Sequence, residues 1–365
     1  MRRLLCIVSA MNAGGAETFL MKMYRAIDRN KYQMDFLVNA DTNYYEKEIL
    51  EMGGKIYRIP AKSQSLFGWY RGTKKIIHDN RYKYVIRVCE HSLATLDLLV
   101  AKAGGATHLI MRSSNAYSGS KKSVLLHKIF KVLPMTVPNV KLAPSTEAAE
   151  YTFGKGCVER GKVVLLHNAI DTSIYQFDSA EREKIRKELG IAEEFVVGHV
   201  GRFNQQKNHE FLIDVFFEIK KIRNDAKLIL CGKGEKEQEI RNKVEKLGLS
   251  DSVLFLGVRS DIPAILSAMD VFVFTSFYEG MPNTVIEAQA TGVPCYVSDR
   301  VTKEARVTDL VTYLSIEQLP IEWAKICSNQ INLNRSKYKE ILKEEGYDIL
   351  DVVPQFVKLT FESNT

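Results

Sequence analysis

Short apolar runs alternate with longer amphipathic stretches along most of the chain. In the first half the runs are Leu4–Ser9, Met34–Val38, Lys55–Ile59, Tyr84–Val88, Leu109–Ser113 and Val140–Ala143. Between them, helical periodicity predicts helices such as Glu17–Ile27 and Leu93–Ala103. The pattern restarts with Phe195–Gly201, Lys227–Gly232, Val253–Gly257, Val271–Thr275 and Pro294–Ser298, separated by helical stretches that include Glu210–Arg223 and Glu235–Leu247. Such alternation is the signature of βαβ units and parallel sheets. Val163–Asp171 reads as a strand ending in turn-prone residues, which places a boundary near residue 170. The expected architecture is α/β, two doubly wound domains (1–170 and 171–346) facing a central cleft. In such sheets ligands bind beyond the carboxyl ends of the strands.

Composition sharpens this picture. A chain of 365 residues with 45% hydrophobic content can bury two cores, and no stretch approaches a spanning helix. The net charge of +7 hides an asymmetry: residues 1–170 hold 26 basic against 13 acidic residues, and residues 171–365 hold 25 against 31. The six cysteines are scattered, with no CxxC pair and no His-Cys cluster of metal-ligand spacing, which suits a reducing, cytoplasmic compartment. Arg2-Arg3 followed by Leu4–Ala13 mimics a short signal peptide. The glycine-rich turn and amphipathic segment that follow favour a first buried strand instead.

Candidate chemistry concentrates in Phe277–Pro294, FYEGMPNTVIEAQATGVP. An apolar strand runs into a turn at Glu279-Gly280, Pro282 is expected to open a helix over Pro282–Thr291, and Gly292 and Pro294 stop it. Amides around Met281, Pro282, Asn283 and Thr284 would lack intrahelical partners and favour an anion. Gly280 permits close approach of a ligand to the backbone. Glu279 and Glu287 can then reach sugars on either side of a diphosphate; the alternative is a surface helix with two solvated acids.

EGMPNTVIEA resembles the E-x7-E signature of retaining GT-B glycosyltransferases of the family 4 type. Gly201-Arg202 with Gln206-Lys207-Asn208 resembles that family's donor-phosphate element, in which Arg202 and Lys207 meet the leaving diphosphate. Gly14-Gly15-Ala16-Glu17 resembles its GGxE loop, and Gly257-Val258-Arg259 the segment whose backbone reads the nucleotide base. Ala143–Gly154 and the linker Asn168–Asp171 resemble further family segments. The resemblance implies a GT-B fold of two Rossmann-like domains, with a last helix (Asp351–Phe361, within about 347–365) crossing back to the first. It also implies that Glu279 holds hydroxyls of the transferred sugar and Glu287 the ribose.

Family members often carry a His after the fifth strand. Here that stretch ends Arg112-Ser113-Ser114-Asn115, so Arg112, Ser114 and Asn115 join Gly14 and Gly15 as acceptor-side candidates. His91 either takes over part of the missing role or is an acceptor-side or structural residue; the remaining histidines look incidental. After Ser298 the family's glycine-rich loop is absent, and only Glu304 can be matched.

Between Lys55 and Lys141 there are 16 basic residues and three acids. Within this stretch Lys121–Leu133 reads as a basic amphipathic helix, either packed on the sheet or lying in a membrane interface; the charge surplus favours the latter. No aromatic-plus-basic platform or DNA-binding pattern points to nucleic acid.

The resulting expectation is a metal-independent, retaining transferase with no cofactor beyond its nucleotide-sugar substrate, a UDP-sugar. The acceptor would be a polyprenyl-diphosphate-linked saccharide at the inner face of the plasma membrane, in capsular or extracellular polysaccharide synthesis. A non-catalytic saccharide-binding subunit and a UDP-sugar 2-epimerase of the same fold are the alternatives.

Overall fold

The computed structural model describes all residues except 13, 90, 115–126, 128, 330, 332 and 363–365. It divides into two units, Met1–Ala169 with Ile349–Thr365, and Ile170–Asp348.

The first unit is built on seven strands: β1 (Arg2–Ile7), β2 (Tyr32–Val38), β3 (Ile56–Arg58), β4 (Tyr84–Cys89), β5 (His108–Ser113), β6 (Val140–Ala143) and β7 (Val164–Leu165). Their order is β3-β2-β1-β4-β5-β6-β7, and every pairing is parallel. Parallel sheets are covered on both faces, so successive residues of one strand serve two cores. Leu4 and Cys6 join Met34, Phe36 and Val38 on one face; Leu5 and Ile7 join Leu37, Val85 and Met111 on the other. These residues place the opening segment inside the sheet as its first strand. It starts earlier than Leu4 because Arg2 and Arg3 pair with Tyr32 and Gln33, and Arg3 also grips the buried carboxylate of Asp35 at 2.6 Å. The crossovers of this unit include α1 (Gly15–Ala26), α2 (Glu46–Glu51), α3 (Leu66–Asp79) and α4 (Thr95–Ala103).

The second unit holds β8 (Val196–Val200), β9 (Lys227–Cys231), β10 (Val253–Gly257), β11 (Val271–Phe274), β12 (Cys295–Ser298) and β13 (Val311–Leu314), in the order β10-β9-β8-β11-β12-β13 and again parallel. Phe272 and Phe274 face one core, Val271 and Val273 the other. β13 is absent from the expected strands. It lies at the sheet edge with two of four residues not buried, so its pattern is weak. Of Val163–Asp171 only Val164–Leu165 pairs as strand. The chain then leaves the sheet, and Ile170 bridges Asp348, so entry to and exit from the second unit run side by side.

The last described segment returns to the first unit. A helix, Ile349–Val357, continues as a π-turn over Lys358–Glu362. Phe356 meets Phe19 edge-on at 6.0 Å, and Phe361 packs on Tyr32 at 4.8 Å. The Leu359 carbonyl accepts from His108 Nε2 at 3.1 Å. No helix among the described residues is long and apolar enough to cross a membrane.

Candidate functional site

At the carboxyl edge of the six-stranded sheet, the loops after β8 and β9 interlock. Gly201 N donates to Cys231 O, and Phe203 N to Lys233 O. A Cβ on Gly232 (φ +139°) would lie 2.0 Å from Gly201 O, and one on Gly234 would lie 2.2 Å from Phe203 O. Only glycine allows this approach. The β8 loop ends at Asn208, in the left-handed region at φ 52°, whose side chain caps the helix His209–Ile222.

A second set of bonds ties this loop to the one after β11. Thr275 Oγ1 donates to the carbonyls of Lys207 (3.2 Å) and Asn208 (3.0 Å). Gln206 Nε2 donates to Tyr278 O, and Phe277 N to Gln206 O. The outcome is an ion pair between residues 72 apart: Lys207 Nζ lies 2.6 Å from Glu279 Oε1. Their side chains are 16% and 11% exposed, and the ammonium also sits 4.5 Å above the Phe274 ring. Arg202 is exposed on the same loop and pairs with no carboxylate among the described residues.

Beneath Lys207 lie two histidines the sequence reading set aside as incidental. His199 Nδ1 donates to Val273 O at 2.8 Å, and His209 stacks on Phe203 at 4.2 Å, with the two imidazoles 4.7 Å apart. Burial pushes His199 down to about 4 and His209 to about 2, so both are neutral at pH 7. The floor of the site therefore adds no charge under Lys207. His199 interrupts an otherwise apolar strand, and that interruption was the available signal.

Pro282 does not open the following helix as expected; it is the N-cap residue, with extended ψ, and the helix runs Asn283–Ala290. The amides of Asn283 and Thr284 thus occupy its first turn, where no intrahelical acceptor exists. Ser276 Oγ, Asn283 Oδ1 and Thr284 Oγ1 are buried atoms without a hydrogen-bond partner, a concentration of polar groups with unused capacity. Gly280 and Met281 are buried in the turn, and Glu287 is buried on the helix. Val258 is exposed, but the Arg259 guanidinium is taken by Asp261 (2.6 Å) and Glu188 (3.1 Å). This segment offers a ligand its main chain rather than its cation.

In the first unit, Gly14 is the N-cap of α1. A Cβ there would strike Glu17 Oε2 at 2.4 Å, whereas one on Gly15 would meet nothing within 4 Å. His91 caps the 3₁₀ turn Ser92–Ala94 directly after β4. The amide and hydroxyl of Ser92 lie 3.2 and 2.8 Å from His127 Nδ1, and His127 Nε2 donates to Tyr151 O at 2.9 Å, which assigns Nδ1 as acceptor. His127 also stacks on Tyr151 at 4.4 Å, and burial lowers its pKa. This third overlooked histidine clamps the loop that carries His91.

Arg112 corrects the acceptor-side expectation. It is fully buried, its guanidinium 3.7 Å above the Phe19 ring and 2.6 Å from Asn168 Oδ1, and burial lowers its pKa to about 9. Its strand position turns it under α1, where it braces the chain's exit from the unit, out of an acceptor's reach. Ser114 Oγ donates to Cys89 O, so this hydroxyl is spent on holding β4 to β5. Asn115 lies outside the described residues, as do 121–126 and 128 of the basic segment Lys121–Leu133; of its remainder, Ile129 and Val132 are exposed. Among the described residues no group of three or more His, Cys, Asp or Glu side chains could hold a metal ion.

Comparison with known proteins identifies the family and the fold. Residues 181–324 match the family "Glycosyl transferases group 1". EpsF of Bacillus subtilis (strain 168), itself provisionally assigned as a glycosyltransferase, is 32% identical over 359 residues, 95% of this chain and 93% of that one. A UDP-Gal:α-D-GlcNAc-diphosphoundecaprenol α-1,3-galactosyltransferase of Escherichia coli is 28% identical over 65% of this chain and 62% of its own length. The crystal structure of Anabaena Alr3699/HepE with UDP-glucose superimposes with a TM-score of 0.79 at 18% identity, covering 98% of this chain and 99% of that one. The chain belongs to the group 1 glycosyl transferases, with two parallel-sheet α/β Rossmann-like domains of GT-B type.

Proposed function

We propose that this glycosyltransferase is a retaining enzyme of the family 4 type. It would move a hexose or N-acetylhexosamine from a UDP-sugar to a polyprenyl-diphosphate-linked saccharide in capsular or extracellular polysaccharide synthesis. The observation that carries the reading is the Lys207–Glu279 pair at the head of the helix Asn283–Ala290, with Arg202 exposed on the loop that holds Lys207. The pair combines a cation for a departing diphosphate with a carboxylate for sugar hydroxyls. UDP and the lipid-linked acceptor are favoured by the E. coli relative, whose name specifies both.

In this mechanism the donor diphosphate lies across the first amides of the helix. Arg202 supplies a planar fork and Lys207 a point charge. Lys207 turns from Glu279 to phosphate, and Glu279 is released to accept hydrogen bonds from the transferred sugar. The bond from anomeric carbon to phosphate oxygen breaks with its electron pair going to the phosphate. The acceptor oxygen forms its bond on the same face, and its proton passes to the departing phosphate oxygen. Charge develops within reach of Arg202, Lys207 and the helix amides, and electrostatic stabilisation of this kind is usually the largest catalytic contribution. Glu287 would hold the ribose, the backbone at Val258 and Arg259 the base, and Gly14, Gly15 and His91 the acceptor side. The charge is met by side chains and amides, in keeping with a sequence that has no D-x-D triplet. The chain would work at the inner face of the plasma membrane, where such an acceptor resides.

Incubation with radiolabelled UDP-sugars and undecaprenyl-diphosphate-linked saccharides tests this. The expected result is label in the lipid fraction with the donor's anomeric configuration kept, lost in Glu279→Ala. Release of free UDP with a 2-epimerised sugar, or sugar binding with no turnover of any donor, would overturn it in favour of an epimerase or a binding subunit.

A further inference from the structure

We infer that the opening turns of α3 form a docking surface for an anionic lipid bilayer. α3 buries Trp69, Thr73 and Ile77 against the first unit and turns a different set outward. Leu66, Phe67 and Tyr70 are 64%, 67% and 39% exposed and share its tip. Leu66 and Tyr70, and Phe67 and Arg71, are each four residues apart, so they lie on one side of the helix. One turn further, the apolar set gives way to cations. The Arg71 guanidinium lies 5.1 Å above the Phe67 ring, and Lys74 follows on the same side as Tyr70. Neither Arg71 nor Lys74 pairs with a carboxylate among the described residues, whereas Lys75 is held by Asp79 at 2.6 Å and Lys62 by Asp97 at 2.7 Å. Ser65 Oγ accepts from Gly68 N and fixes the start of the helix, so the tip is presented by a capped and rigid element.

Charge complementarity selects the occupant. The surface stands within a stretch of 16 basic and three acidic residues, so a second copy meeting it through the same surface would bring like charge against like. Anionic headgroups match both features: they neutralise Arg71 and Lys74 while Leu66, Phe67 and Tyr70 enter the boundary between headgroups and acyl chains. Three projecting side chains form a wedge, not the recessed groove in which a partner helix would lie. Topology gives the surface its meaning. α3 follows β3, and crossover helices of a parallel sheet begin at its carboxyl edge, the same edge that carries Gly14, Gly15 and His91. A bilayer at the tip would lie beside the acceptor-side loops of this unit. The inference rests on the membrane reading above for that meaning alone, since adsorption requires no acceptor.

Co-sedimentation of the full chain with vesicles tests it, using phosphatidylcholine alone and phosphatidylcholine mixed with phosphatidylglycerol. The wild type should partition onto the mixed vesicles far more than onto the neutral ones. Arg71→Gln/Lys74→Gln should lower partitioning about 30-fold, equivalent to about 2 kcal/mol at about 1 kcal/mol per basic residue. Leu66→Ser/Phe67→Ser/Tyr70→Ser should lower it at least about tenfold. Leu319→Ser, which removes an equally exposed leucine from the second unit, should change nothing. Should the triple variant misfold, Phe67→Trp supplies an independent reading, because its emission should shift to the blue on mixed vesicles only. Wild-type binding that survives both α3 variants would overturn the assignment to α3 and leave the membrane reading standing. No wild-type binding to either vesicle would overturn both, while donor binding tested with UDP would be untouched. Self-association abolished by the triple variant, without vesicle binding, would reassign the surface to contact between copies.

Discussion

The contact between Lys207 and Glu279 makes a prediction whose size follows from the structure. The charged atoms are 2.6 Å apart, and both side chains are largely buried. At an effective dielectric constant of about 20 their attraction is about 4 to 6 kcal/mol. Desolvation of the two groups takes back most of this, leaving a net coupling of about 1 to 3 kcal/mol. Lys207→Ala alone should cost about 2 to 4 kcal/mol of stability, because it strands the Glu279 carboxylate in a poorly hydrated site. Lys207→Ala/Glu279→Ala should recover part of that loss. The four proteins of this cycle can be compared by urea denaturation, first without nucleotide and then with saturating UDP. In the proposed mechanism Lys207 leaves Glu279 for phosphate, so the coupling should shrink towards zero in UDP. Lys207→Ala should also reduce transfer by about 100- to 1,000-fold, as expected for removing one group that stabilises developing charge. A coupling unchanged by UDP, together with unaltered UDP affinity in Lys207→Ala, would refute the exchange and make the pair a structural clamp.

Three other outcomes are expected. Gly232→Ala would place a Cβ 2.0 Å from Gly201 O at a φ of +139°, so it should cost about 3 kcal/mol or more and weaken UDP binding, both readable by thermal melting with and without nucleotide. Gly15→Ala meets open space at the first residue of α1, so melting should be unchanged or slightly raised, while transfer falls at least about tenfold if the acceptor passes there. His199 and His209 have folded pKa values of about 4 and about 2, below the ordinary 6.5, so between these values the unfolded chain binds more protons and stability rises with pH. Urea denaturation should lose about 2 kcal/mol per histidine between pH 6.5 and 5, and His209→Phe should flatten that slope; an unchanged slope would mean that His209 is not held neutral.

Parallel strands were readable because residues such as Leu4–Ile7 and Val271–Phe274 serve two cores at once and stand out as unbroken apolar runs. Val311–Leu314 escaped notice because an edge strand pairs on one side only and half of it is not buried. Resemblance pointed to Lys207 and Glu279 separately. Their pairing depends on how Thr275, Gln206 and Phe277 stitch two loops together, a relation between residues about 70 apart that no local pattern carries. Arg112 misled for the complementary reason: its place in the stretch where the resembled family often carries a His made it an acceptor-side candidate, whereas the packing of Phe19 and Asn168 decides which way it points. His127, His199 and His209 looked incidental because burial, which gives each its neutral form, is a property of the folded chain.

The return of Ile349–Glu362 to the first unit has a consequence for how the molecule is made. Val352, Phe356 and Phe361 complete the core that contains Leu4, Phe19 and Phe36, yet the ribosome reaches them only after the whole second unit. At about 5 to 20 residues per second, the first sheet waits about 10 to 35 s with one apolar face incompletely covered. A chain stalled or cleaved anywhere in the second unit keeps that face open. Completeness of the polypeptide is thereby written into the first unit's surface, where chaperones and proteases can read it before any sugar is transferred.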